Sequence, residues 1–109
     1  MLNRSAQNTM IVESMAKVQV KFLSGFKEAV KGESAEVSIV GGSTVEDVLK
    51  HLCDKFGEPL RSLIFKNGKS IAGNLIIFVN GRNILTINGV KTVLRDGDQI
   101  ILSTPVAGG

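Results

Sequence analysis

Val18, Val20 and Phe22 alternate with Gln19 and Lys21, the period of two that marks a half-buried strand. Glu36–Val40 repeats the alternation, with Val37 and Ile39 on one face and Glu36 and Ser38 on the other. Ser24–Glu33 between them reads as a loop with a short turn over Phe26–Val30, so the two strands form a hairpin. Gly41-Gly42 ends the second strand, and the period then changes. Val45, Val48, Leu49, Leu52, Cys53 and Phe56 recur at the three- and four-residue steps of an amphipathic helix. Ser43 with Glu46, or Thr44 with Asp47, has the spacing of a capping box, and Thr44 is the preferred cap. Glu46 and Lys50 form a favourable pair on the wet face. Gly57 is placed to end the helix, with Pro59 just beyond.

Pro59–Phe65 predicts a turn of helix leading into a short extended piece. Asn67-Gly68 and Asn80-Gly81 are tight-turn signals on either side of Leu75–Val79, which is apolar at every position. Ile84-Leu85 and Asn88-Gly89 belong to a connecting loop, and Val93-Leu94 to a short extended piece. Arg95-Asp96-Gly97-Asp98 is a turn, and Gln99–Thr104 the final strand. A hairpin, a helix and then several strands predict an α+β fold, with one main helix across one face of a mixed sheet. One helix covers one face only. Ile76, Phe78 and Ile101 on the other face then form an exposed apolar patch, the kind of surface that marks a partner-binding site.

At 109 residues the chain fits one domain. Residues 1–14 are polar and aperiodic and predict a flexible extension; residues 15–104 hold the patterned domain; residues 105–109 form a tail. The 13 Lys and Arg are scattered and the net charge is only +3, which argues against nucleic acid as a partner. No apolar run is long enough to cross a bilayer and the first residues lack a signal-peptide core, so a cytoplasmic location is expected. The single Cys53 excludes an intramolecular disulfide and a cysteine-ligated iron–sulfur cluster, and the single His51 excludes a multi-histidine metal site. Cys53 falls on the apolar helix face and reads as core; His51 falls on the polar face. Gly68-Lys69-Ser70 ends like a phosphate loop, but Leu63 stands where that motif needs its first glycine. Asp96 and Asp98 flank a turn glycine and read as turn chemistry rather than metal ligands. No group of side chains forms a catalytic constellation, so the chain has no catalytic residues of its own, and no bound cofactor is expected.

The reactive group is the end of the chain. Pro105 fixes its own φ and donates no hydrogen bond, so it frees the last four residues from strand pairing. These are Val106, Ala107, Gly108 and Gly109, and extended they reach about 13 Å. Two glycines without side chains can thread a narrow channel and leave the terminal carbonyl open to attack.

Val79-Asn80-Gly81, Leu94-Arg95-Asp96-Gly97-Asp98 and Pro105-Val106-Ala107-Gly108-Gly109 resemble the ubiquitin-like β-grasp sulfur carriers. These are the molybdopterin synthase small subunit, the thiamine-pathway sulfur carrier and the small archaeal modifier proteins. Thr44–Leu49 resembles the family's helix start, and the likeness runs from Met15 to Gly109. Thr104 departs from the paired prolines common in the molybdopterin branch, and Glu58–Asn74 is longer than the thiamine carrier needs. The resemblance implies that a ubiquitin-activating-type enzyme docks on the Ile76, Phe78 and Ile101 face and adenylates Gly109 with its own ATP. A sulfur donor then forms a thiocarboxylate, and sulfur passes to a molybdopterin precursor on a synthase large subunit or to a related acceptor. The alternative is attack by a lysine amine of a target protein, giving an isopeptide. A noncovalent β-grasp binding module is the third possibility, and it predicts that the Gly-Gly end is dispensable.

Overall fold

The computed structural model describes residues 15–66, 70–71 and 75–104. The chain runs through β1 (Met15–Phe22), α1 (Gly25–Val30), β2 (Ser34–Val40), α2 (Val45–Phe56), α3 (Glu58–Ile64), β3 (Phe65–Lys66), β4 (Ser70–Ile71), β5 (Ile76–Val79), β6 (Arg82–Asn83) and β7 (Gln99–Ser103). The main sheet has five strands in the order β2-β1-β7-β5-β6, and β3 with β4 forms a separate two-stranded ribbon. β1 and β7 are parallel, while the β1–β2, β5–β7 and β5–β6 pairs are antiparallel. The sheet is therefore mixed, as the element order predicts, and the fold is the ubiquitin-like β-grasp.

The first and last strands meet at the centre because both alternate cleanly. In β1, Ala16, Val18, Val20 and Phe22 are buried while Met15, Lys17, Gln19 and Lys21 are exposed. In β7, Ile100 and Leu102 are buried and Ile101 is half-buried. One sheet face thus meets the helices. Val45, Val48, Leu49, Leu52 and Cys53 of α2 fill the same core as Val37, Ile39, Ile77 and Val79. Phe22 and Phe56 meet edge to face, with ring centroids 6.0 Å apart.

Thr44 caps α2 as its spacing predicts: its backbone N–H donates to Asp47 Oδ2 at 2.9 Å, and Asp47 N–H donates to Thr44 Oγ1 at 3.4 Å. Gly57 ends the helix with φ +81°, a left-handed angle that suits glycine, and its N–H bonds to Cys53 O at 2.8 Å.

Two expectations are corrected. Ser24–Glu33 is not only a loop, since Gly25–Val30 is a helix that buries Phe26. Pro59–Phe65 holds two turns of helix rather than one, since α3 spans Glu58–Ile64 and buries Leu60 and Ile64. The single main helix is joined by two short ones. Each is too short to show a period in the sequence and is held by one or two anchors in the common core. Asn67-Gly68 lies outside the described residues.

Candidate functional site

Thr104 is the last described residue, and the tail from Pro105 to Gly109 lies beyond it. The site is therefore built from the strand that carries the tail and the sheet face beside it. β7 lies between β1 and β5, so both its edges are paired. Leu23 N–H extends the ladder by donating to Leu102 O at 2.9 Å. Ser24 sits next to the end of β7, with its Oγ 3.5 Å from Ser103 Oγ. Ser24 has φ +52° and ψ −134°, a conformation that favours glycine, where the chain turns sharply from β1 into α1.

The opposite end of β7 is tied by the residues of the two glycine turns. Asp96 Oδ1 accepts from Lys17 N–H at 2.8 Å, and Gly97 N–H donates to Lys17 O at 2.8 Å. Asp98 Oδ2 accepts from Arg95 N–H at 2.8 Å and its Oδ1 from Asn80 Nδ2 at 2.9 Å. Asn80 Oδ1 in turn accepts from Gln99 N–H at 2.9 Å. Asn80 and Gly81 both have positive φ (+51° and +83°), the geometry of a two-residue hairpin turn. Asp96 and Asp98 are thus committed to turn chemistry, and they couple β1, β5 and β7 at one point.

The three candidate docking residues share the sheet face that the helices leave open. Phe78 and Ile101 are direct cross-strand partners, and Ile76 lies opposite Ser103. All three are half-buried rather than fully exposed, because neighbouring strands shield them from the side. In register, Lys21 stands beside Ile101 on one side and beside Ser34 on the other. A row of Ser34, Lys21, Ile101 and Phe78 thus crosses four strands, from polar to apolar. A depression of about 530 Å³ opens in this face, lined by Gln19, Lys21, Glu33, Ser34, Gln99 and Ile101. Sequence periodicity places Lys21 on the outer face but not beside Ile101. That neighbour is set by the parallel pairing of the first and last strands, which are distant in the chain.

The remaining perturbed groups lie on the helix side. Lys91 Nζ is 2.9 Å from Glu46 Oε1; this bond lowers the Glu46 pKa and raises that of Lys91. The Thr44 backbone N–H holds the Asp47 carboxyl below its usual value. Burial pushes the Cys53 thiol up, which keeps it protonated and unreactive. His51 is exposed on α2. Among the described residues no helix is long and apolar enough to cross a membrane.

A five-stranded mixed sheet with helices on one face, whose central strand β7 leads into the Gly-Gly sequence, matches the ubiquitin-like β-grasp class. The ThiS family model matches residues 20–109, through to the last glycine, and the chain belongs to this family. It is 29% identical to small archaeal modifier protein 3 of Haloferax volcanii over 93 residues, covering 85% of this chain and 99% of the relative. It is 33% identical over 66 residues to a candidate sulfur carrier protein of Archaeoglobus fulgidus, covering 61% of this chain and 74% of that one. The solution structure of small archaeal modifier protein 1 from Methanosarcina acetivorans superposes with a TM-score of 0.76 at 36% identity, covering 87% of this chain and 98% of that one.

Proposed function

We propose that the chain carries sulfur on its C-terminus. A carboxylate is a poor acyl donor at neutral pH, so it must first gain a leaving group. In this reading a carboxylate oxygen of Gly109 attacks the α-phosphorus of ATP within a ubiquitin-activating-type enzyme, and pyrophosphate leaves. A sulfur donor then attacks the acyl-adenylate carbonyl, and AMP departs with the C–O bond. Where the donor is a persulfide, a second thiol then attacks the donor sulfur of the acyl disulfide, forming a disulfide with it and leaving the outer sulfur on the glycyl carbonyl as a thiocarboxylate. The thiocarboxylate delivers sulfur to an acceptor, with a molybdopterin precursor on a synthase large subunit as the proposed case. The chain would then serve as a small subunit rather than as an enzyme in its own right, acting in the cytoplasm. ATP is the activating enzyme's substrate, not a ligand of this chain. The observation that carries the reading is the family match extending through Gly108 and Gly109.

The likeness to small archaeal modifier proteins favours a second outcome from the same adenylate. A lysine amine of a target protein attacks in place of sulfur and forms an isopeptide. Intact mass and C-terminal peptide mapping of the protein recovered from its own cells separate the two. Replacement of one Gly109 oxygen by sulfur supports the carrier. Gly-Gly remnants on lysines of other proteins support the modifier. A free carboxylate throughout, with the activating enzyme present, counts against both and favours a noncovalent binding module.

A further inference from the structure

Ser24 is strained in a place where the fold does not need a side chain. The turn from β1 into α1 is held on both sides. Leu23 N–H donates to Leu102 O at 2.9 Å, Phe26 N–H donates to Leu23 O at 3.1 Å, and Phe26 is fully buried. Between these anchors residue 24 has φ +52° and ψ −134°. Glycine enters that region freely, whereas a side chain is strained there. Glycine would make the same turn, yet the chain has serine. Capping does not account for it. A serine at the start of a helix ordinarily turns its hydroxyl onto the first N–H groups, and Ser24 makes no such bond. Nor does packing, since Ser24 is exposed.

The hydroxyl faces the end of β7 instead. Ser103 Oγ donates to Thr104 O at 3.1 Å, which commits its one proton. Ser24 Oγ, 3.5 Å from Ser103 Oγ, is then the donor of that pair. This contact is long for two hydroxyls and is the weaker of the two links. Gly25 continues the line, because a side-chain carbon there would lie 3.8 Å from Thr104 Oγ1. Residues 23, 24 and 25 thus lie in turn beside residues 102, 103 and 104. Thr104 O belongs to the peptide that joins the domain to Pro105. A peptide unit is planar, so holding its oxygen fixes the direction of its bond to the next nitrogen.

We propose that Ser24 is a positioning residue for the tail: through Ser103 it holds the Thr104 carbonyl, so that the residues beyond leave β7 in one direction. The assignment rests on the reading of Gly109 as a substrate for adenylation. A tail already aimed gives up less freedom on entering the partner's channel, and this pre-organisation favours binding. The saving is present in the Michaelis complex and in the transition state alike, so it acts on KM.

The test is ATP–pyrophosphate exchange by a purified ubiquitin-activating-type enzyme from the same genome, with the full chain as varied substrate and a thermal melt of each variant. Ser24→Gly removes the hydroxyl and relieves the turn. Its melting temperature should rise by about 4 °C. Its KM should nevertheless rise about fivefold with little change in kcat, the worth of one hydrogen bond. Ser24→Ala removes the hydroxyl and keeps the strain, so it should show the same KM without the gain in melting temperature. Ser103→Ala should raise KM at least as far, and Ser103→Thr, which keeps a hydroxyl, should restore it. The S24A/S103A pair should be no worse than S103A alone, because the two hydroxyls act in series. A merely structural role would make KM improve as stability improves. A KM for folded S24A and S24G within about twofold of wild type, a double variant whose rise is the product of the single ones, or an S103T as poor as S103A overturns the assignment while adenylation of Gly109 stands. If S24A does not fold, S24G serves in its place. If the wild-type chain supports no exchange, the functional reading falls and this assignment falls with it.

Discussion

Asp98 ties the turn before β7 to the β5–β6 turn with one carboxylate. Its two oxygens accept from Arg95 and Asn80, and Asn80 in turn accepts from Gln99 at the start of β7. Asp98→Ala removes both bonds and leaves Asn80 held by Gln99 alone. The expected loss is about 1–2 kcal/mol at roughly 1 kcal/mol net per bond, read from the urea midpoint. Gly97 adds a conformational demand at the same turn. Its φ of +88° is reached with strain by any side chain, so Gly97→Ala should cost about 1 kcal/mol even though nothing lies within 4 Å of the added carbon. Charge acts differently at the α2 cap. Asp47 titrates lower in the folded chain than its ordinary 3.8, so its contribution is present above that pH and is lost as pH falls through the folded value. Glu46 behaves alike from its ordinary 4.5. Lys91 is raised above 10.5, so its share is present below that pH and is lost as pH rises through the folded value. The combined Asp47→Asn and Glu46→Gln variant should therefore show a flatter decline of melting temperature with acid than the wild type.

The elements differ in how far their causes reach along the chain. α2 was legible in full, because its apolar spacing, its Thr44 cap and its Gly57 stop are all local signals. β1 and β2 were legible for the same reason, since each alternates and strands that follow one another in the chain commonly pair. α1 was read only as a turn and α3 only as one turn of helix, because their full extent depends on Phe26, Leu60 and Ile64 reaching a core assembled by other elements. The site divides along the same line. Ile76, Phe78 and Ile101 could be placed on an outer face from alternation, whereas Lys21 joined them only through the parallel β1–β7 register. The helix also gives the sharpest stability test. Leu52 is fully buried on α2, and Leu52→Ala should cost about 2–5 kcal/mol by opening a cavity. Val48→Asp should unfold the domain, because its carboxylate would be buried with no partner. Circular dichroism at the helix minimum distinguishes the two.

For the whole molecule, the proposed division of labour is between a core that ends at Leu102 and a terminus that would carry the chemistry. Deleting Gly109 should leave the melting temperature within about 1 °C of wild type, since no core residue is touched and surface changes are nearly neutral. The same deletion should abolish adenylation, measured as loss of ATP–pyrophosphate exchange. A large drop in melting temperature would mean that the terminus is structural.

The pairing of β1 with β7 also has a mechanical consequence. The chain enters the sheet at the start of β1 and leaves it at the end of β7, and these two strands are adjacent and parallel. A force drawing the two ends apart therefore slides one strand along the other and loads every rung of that ladder at once. An antiparallel pair gripped at one end would instead peel rung by rung. Tension between the two ends therefore loads this fold in shear along its central ladder rather than in peeling.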